Sequence, residues 1–238
     1  MKKFVNAIVV AVALACLVPA ASLALMPYAQ DFEALDQANT DALANDGWLV
    51  FGNVFAPDGA YLYGYGPFPA PNDGFAFCAI AAGEGGPDQG DQQLVVFSDY
   101  NNTDHADGNL IESNVFQEQI IEAGDLGQTW MFTFDAKLGN IEGGSTALAF
   151  IKTIDSGNFS LIDLVTADMT SIPTTWGTFS LSLEIRPDLE GQILQIGFLN
   201  TATNYEGSGI FYDNVFWDVD GAVAVEPMTL SGVKSLFK

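Results

Sequence analysis

Cysteine, histidine and positive charge are scarce along these 238 residues, and each shortage removes a class of protein. The two cysteines are Cys16 and Cys78. A chain that loses its first segment keeps only Cys78, which excludes an intrachain disulfide. Cys78 stands in the apolar run Gly74-Phe75-Ala76-Phe77-Cys78-Ala79-Ile80 and is read as a small buried hydrophobe rather than a reactive thiol. The single histidine, His105, sits in the polar stretch Asp104-His105-Ala106-Asp107-Gly108 with no partnered nucleophile motif, and is read as a solvated loop residue. No Gly-x-Ser-x-Gly, zinc-type histidine pair or phosphate-cradling loop occurs. Arg186 is the only arginine, which leaves lyase chemistry on a uronate short of cations. Carboxylate pairs for glycoside hydrolysis arise by chance among thirty acidic residues, and sequence spacing does not reveal the separation that reaction needs. A non-catalytic protein is therefore expected, with a hydrolase or lyase as a minor alternative.

The basic residues number seven, and two of them, Lys2 and Lys3, precede the apolar run from Phe4 to Val18. Pro19 and the small-residue segment Ala20-Ala21-Ser22-Leu23-Ala24 follow. This is the pattern of a bacterial secretory signal peptide over residues 1–24. A membrane anchor fits less well, because Asn6 and Pro19 interrupt the run, and a lipoprotein at Cys16 lacks the expected residues before it. No later segment is long and apolar enough to span a bilayer, so no membrane insertion of the mature chain is expected. After removal of the leader, five basic residues face all thirty acidic ones. Such a surface repels nucleic acid and anionic membranes. It suits either solubility in a salty medium or the holding of a hard cation such as calcium.

Beyond the leader, short runs rich in Phe, Val, Ile, Thr and Tyr alternate with Gly, Asp, Asn and Pro turns. That pattern predicts an all-β fold, a two-sheet antiparallel β-sandwich, filling residues 25–221 as one domain. Residues 222–238 carry no core pattern and are read as a loosely ordered tail. The strand candidates are Trp48–Phe55, Tyr61–Tyr65, Gly74–Ala81, Gln93–Ser98, Asn114–Glu118, Thr129–Leu138, Thr146–Asp155, Leu161–Thr166, Gly177–Ile185, Gln192–Asn200 and Gly209–Asp218. Trp130, Phe132 and Phe134 share one face by period two, as do Phe179, Leu181, Leu183 and Ile185. Glu33 to Asn45 is read as a loop with one helical turn. Trp48, Trp130 and Trp176 are assigned to the core.

The last strong strand, Gly209-Ile210-Phe211-Tyr212-Asp213-Asn214-Val215-Phe216-Trp217, carries the most informative feature. Alternation puts Asp213 on the side of Phe211, Val215 and Trp217. If that side faces the core, a carboxylate stands among apolar groups, which is costly unless a positive charge compensates it. With basic residues scarce, a metal ion is the economical partner. First and last strands of such sandwiches often lie close, so Glu33 of Gln30-Asp31-Phe32-Glu33 can meet Asp213.

These stretches, with Trp130-Met131-Phe132-Thr133-Phe134-Asp135-Ala136-Lys137 and Thr175-Trp176-Gly177-Thr178-Phe179, resemble the CenC-like carbohydrate-binding modules in order and approximate spacing. The resemblance implies a jelly roll with a buried structural calcium. Its ligands would be Glu33, a carbonyl at Lys137 or its neighbour, and Asp213, with Asp31 and Asp135 as auxiliaries. It also implies a polysaccharide or surface glycan as partner, while the leader implies an extracellular or periplasmic location. For sugar contact, aromatic faces must stand beside polar groups. Tyr61, Tyr63 and Tyr65, read as sharing one face, are the first candidates, and Tyr205, between Asn204 and Glu206, is another. A surface or matrix protein using the same sandwich for adhesion, without a sugar site, is the alternative.

Overall fold

In the strand Trp48–Phe55 every second residue is buried, which is what a sheet packed on its partner through one face requires. The computed structural model of the chain describes residues 25–68, 77–203 and 205–221. The leader 1–24, the tail 222–238 and the beginning of the Gly74–Ala81 candidate lie outside them. Twelve strands are seen among the described residues: β1 Tyr28–Gln30, β2 Trp48–Phe55, β3 Tyr61–Tyr65, β4 Cys78–Ala82, β5 Gln92–Val96, β6 Leu110–Ile120, β7 Thr129–Leu138, β8 Thr146–Ile154, β9 Leu161–Asp168, β10 Gly177–Glu184, β11 Ile193–Ala202 and β12 Ile210–Val219. One turn of helix, Ala42–Asn45, interrupts the segment expected to be loop.

The strands form two antiparallel sheets. One runs β10-β7-β12-β5-β4, with β1 added along β12; the other runs β3-β2-β6-β11-β8-β9. This is the predicted two-sheet sandwich. The first strand indeed lies on the last, with Tyr28 opposite Trp217 and Gln30 opposite Val215. A polar clasp holds it there: the Tyr28 hydroxyl donates to Asp46, the Trp48 indole N–H donates to the Tyr28 hydroxyl at 2.7 Å, and the Gln30 amide donates to Asp46 at 2.7 Å.

Between the sheets the core is aromatic. Phe198 of β11 stacks on Tyr212 of β12 with centroids 3.6 Å apart, and Trp48, Phe132 and Phe134 surround the pair. The expected faces are present: Trp130, Phe132 and Phe134 are buried together, and Leu181, Leu183 and Ile185 are buried with them. Cys78 is buried, and burial pushes its thiol pKa up, away from reactivity.

Two strands depart from simple alternation. In β12 the pairing with β7 skips one residue between Asp213 and Phe216, a β-bulge in which Asn214 takes the left-handed conformation at φ 45°. In β3 the pairing with β2 skips between Tyr61 and Tyr63, leaving Leu62 unpaired. Each bulge turns a row of side chains over, and each alters a candidate site.

Because Phe198 sits at the centre of the aromatic core, Phe198→Ala is expected to cost roughly 3–5 kcal/mol of unfolding free energy. Leu62→Ala, at an exposed bulge, should stay within about 0.5 kcal/mol. Urea midpoints of the two variants check both values.

Candidate functional site

The bulge in β12 corrects the placement of Asp213. Ile210 and Tyr212 face the core before it, Val215 and Trp217 after it. Asp213 instead stands opposite Asp135, on the face turned away from the apolar interior. It is nevertheless 0% exposed. One carboxylate oxygen accepts the backbone N–H of Asn214 at 2.6 Å, and Oδ2 has no partner among the described residues. Burial, with Asp31, Glu33 and Asp135 close by, pushes its pKa up to about 7.

The surrounding groups are held individually. Asp135 accepts from Thr178 Oγ1 at 2.6 Å, Gln89 Nε2 at 2.7 Å and Asn214 Nδ2 at 2.9 Å. Glu33 accepts the N–H groups of Asp91 and Gln92 at 2.8 and 2.6 Å, which ties the N-terminal turn to the start of β5. Asn214 Nδ2 also donates to the Asp88 carbonyl at 2.9 Å. Gln89 Oε1, buried beside Asp135, is a second oxygen without a partner. Asp31, Glu33 and Asp135 thus lie within electrostatic reach of Asp213.

The Lys137 side chain points elsewhere. Its ammonium donates to the Glu84 carbonyl at 2.6 Å and to the Glu84 carboxylate at 2.7 Å, over the rings of Trp176 and Phe211. Its backbone pairs with Phe211, two residues along β12 from Asp213. Trp176 is only half-buried on this outer surface, not a core residue. The free donors at the cluster are oxygens, the chemistry a hard divalent cation prefers. Among the described residues no three Asp, Glu, His or Cys side chains converge as a metal-binding group. A cation here therefore has to draw on Gln89 Oε1 and main-chain carbonyls besides Asp213.

The tyrosine candidates are separated by the β3 bulge. Tyr65 and Tyr63 lie opposite Gly52 and Val54, on the side of the main core, where Tyr65 packs on Phe68 and Phe77 and donates to Asp99 at 2.9 Å. Tyr61 lies opposite Phe55 and contacts its ring edge on the other face. The stripe is therefore not one surface. Tyr205 packs against His105, with centroids 4.9 Å apart. That histidine is 3% exposed rather than solvated, and burial lowers its pKa. Its Nε2 lies 3.5 Å from Ser98 Oγ, but that hydroxyl is fully buried and donates to the Ile111 carbonyl.

A site that the sequence reading missed lies on the outer face of the β3-β2-β6-β11-β8-β9 sheet. Phe116, Phe150 and Leu199 form a second apolar cluster there, flanked by Leu49, Phe51 and Leu148. Above it a groove of about 500 Å³ crosses β2, β6, β11 and β8, from Phe51 to Phe159. Polar pairs line it: Asn53 and Asn114 donate to Glu112 at 2.9 and 2.8 Å, and Gln195 donates to Glu118 at 2.8 Å. Lys152 lies 4.1 Å over the Phe150 ring and donates to Asn114 Oδ1 at 3.2 Å. Burial lowers its pKa. Consecutive apolar residues such as Val115-Phe116, Phe150-Ile151 and Phe198-Leu199 were the available signal, since they make both faces of these strands apolar.

The sequence matches no family model and no curated protein. Solved structures are similar to the chain at low identity. The C-terminal family 22 carbohydrate-binding module of Clostridium thermocellum Xyn10B is 17% identical over 82% of this chain and 94% of its own, with a TM-score of 0.39. An apo-form cyclase from Fischerella sp. is 12% identical over 83% of this chain and 98% of its own, with a TM-score of 0.47. The enzymatically active domain of bacteriophage CBA120 tailspike protein 4 is 16% identical over 73% of this chain, which spans only 19% of that domain, with a TM-score of 0.44. These likenesses concern the sandwich, and no residue role is carried across from them.

The raised Asp213 pKa sets a pH dependence in metal-free buffer. Its folded value of about 7 lies above the ordinary 3.8, so the folded state binds a proton that the unfolded chain has released. Stability from this group is complete below about pH 4 and is lost as pH rises to about 7. Asp213→Asn should flatten the decline in melting temperature between pH 5 and 7.5 in EDTA. Equal slopes for variant and wild type would exclude the buried carboxylate as its source.

Proposed function

We propose that the mature chain is a secreted, non-catalytic glycan-binding domain of the CenC-like kind, with a polysaccharide in the groove across β2, β6, β11 and β8 and a structural calcium ion at Asp213. The observation that carries the reading is the groove itself. Beneath it Phe116, Phe150 and Leu199 are already covered by neighbouring side chains, and Phe51 and Phe159 are the rings that stay accessible along the groove. Its aromatic floor and hydrogen-bonding walls match what a sugar chain offers, apolar C–H faces alternating with hydroxyls. Four strands spaced about 4.8 Å apart make it roughly 14 Å across, which suits an oligosaccharide better than a single ring.

Phe159 supports this reading from the rim. It is 74% exposed and holds a left-handed backbone at φ 61°, an unfavourable conformation for a bulky residue. The tight turn maintains it: Gly157 and Asn158 donate to the Asp155 carboxylate at 2.8 and 3.0 Å, and Phe159 N–H donates to the Asp155 carbonyl at 2.8 Å. The result is an aromatic ring presented at the end of the groove. The non-catalytic part of the reading rests on the burial of Ser98 and His105 and on the pairing of Arg186 with Asp163 and Asp188.

Calcium at the acidic junction would be held by Asp213 Oδ2, Gln89 Oε1 and neighbouring carbonyls, with Asp31 and Glu33 adding negative charge. When bound it would supply the positive charge that Asp213 lacks. It would then act on stability, not on sugar recognition, which lies on the other sheet.

Affinity electrophoresis of the mature protein through soluble polysaccharides tests the groove. Retention on at least one glycan is expected, and Phe51→Ala and Phe159→Ala should each weaken it about tenfold, equivalent to about 1.4 kcal/mol. Tyr205→Ala should leave it unchanged. Failure to retain any glycan, or retention indifferent to both phenylalanines, would move the reading to an adhesive or matrix role without a sugar site.

Chelation tests the ion separately. Calcium at a hundred times its dissociation constant adds about 2.7 kcal/mol, so EDTA should lower the melting temperature by roughly 5–10 °C. The shift should vanish in Asp213→Asn.

A further inference from the structure

The backbone N–H of Leu25 points at both oxygens of the Asp125 carboxylate, at 2.9 and 3.1 Å. Asp125 is 0% exposed. It also accepts the Glu122 N–H at 2.9 Å, closing the short turn Ala123–Asp125. No Lys, Arg or His among the described residues forms an ion pair with it. A buried carboxylate without a cation is a costly arrangement, and two main-chain amides relieve it only in part.

The chain is anchored from this point onward. The Leu25 side chain is 4% exposed in the main core. Met26 is held in both directions by Gln119, whose Oε1 accepts its N–H at 2.6 Å and whose Nε2 donates to its carbonyl at 3.0 Å. Immediately before Leu25 the sequence reads Ser22-Leu23-Ala24, with small residues where a signal peptidase requires them. Two independent observations, a cleavage pattern and a buried carboxylate lacking a cation, therefore meet at one peptide bond.

We propose that the Ala24–Leu25 bond is the processing site, and that the α-ammonium of Leu25 released there forms a buried ion pair with Asp125. Hydrolysis adds one water across the bond. Ala24 leaves with the new carboxylate, Leu25 keeps the amine, and the amine takes a proton at neutral pH. An amide offers Asp125 a single hydrogen shared between two oxygens; an ammonium offers three hydrogens and a unit charge in the same place. Removal of the leader thus supplies the missing counter-charge, and maturation stabilises the sandwich. Nothing in this depends on glycan or calcium.

The intact mass of the protein recovered from an exporting host is expected to correspond to a chain beginning at Leu25; any other first residue overturns the proposal. The chain beginning at Leu25 should melt roughly 5–10 °C above one retaining Ser22-Leu23-Ala24. Asp125→Asn should erase that difference, and equal melting temperatures of the two wild-type forms would also overturn it. Should the variant fail to fold, the ¹³C-dimethylated α-amine of the wild type is followed by NMR. Facing Asp125, with Glu122 adjacent, it should titrate above the ordinary range of about 7.7–8.0. A value within or below that range contradicts the pair.

Discussion

A carboxylate closed off from water in β12, the strand on which β1 pairs, is the constraint on which the proposed ion site depends. Asp213 is buried, raised in pKa, and left with one oxygen unsatisfied. Several features that look local converge on it. The bulge at Asn214 aims it away from the core, Glu33 ties the N-terminal turn to β5, and Asp135 gathers Gln89, Asn214 and Thr178. The proposed cation gives the arrangement a reason, because attraction to a shared ion would turn mutual repulsion into a clasp between the chain's two ends.

The sandwich separates its tasks by face. The interior between the sheets is filled by stacked aromatics such as Phe198 and Tyr212, which define the fold and leave nothing to bind. The outer face of the β3-β2-β6-β11-β8-β9 sheet carries the second apolar cluster under the groove, and the acidic junction lies on the other sheet. Stability and proposed recognition can therefore be changed independently. The Lys152 ammonium over Phe150 contributes to the groove a donor whose weak compensation suits it to hydroxyl groups.

Most of the architecture was legible in the sequence because period-two patterning survives wherever one face of a strand packs and the other is wet. Trp130, Phe132 and Phe134 in β7 and the Leu181-to-Ile185 row show this directly. The pairing of the first strand with the last was also legible as a property of such topologies. Two of the failures share one physical origin. A bulge of a single residue inverts every side chain beyond it, and neither the bulge at Asn214 nor the one at Leu62 is visible in composition. Period two alone thus groups Asp213 with Phe211, Val215 and Trp217, and puts the three tyrosines on one face. His105 was misjudged because its polar neighbours conceal the aromatic packing of Tyr100 and Tyr205 around it. The groove was missed because it is assembled from four strands and the Phe159 turn, far apart in sequence, and because Phe116 and Phe150 look like core.

The central claim, that the buried Asp213 carboxylate is completed by a divalent ion, is tested most directly by calorimetric titration of calcium into the metal-free protein, in two buffers of different ionisation enthalpy. With a folded pKa of about 7, Asp213 must lose its proton when the ion binds. One calcium per chain should bind, with release of nearly one proton at pH 6 and almost none at pH 8.5. Absence of binding, or binding without proton release at pH 6, would contradict the account.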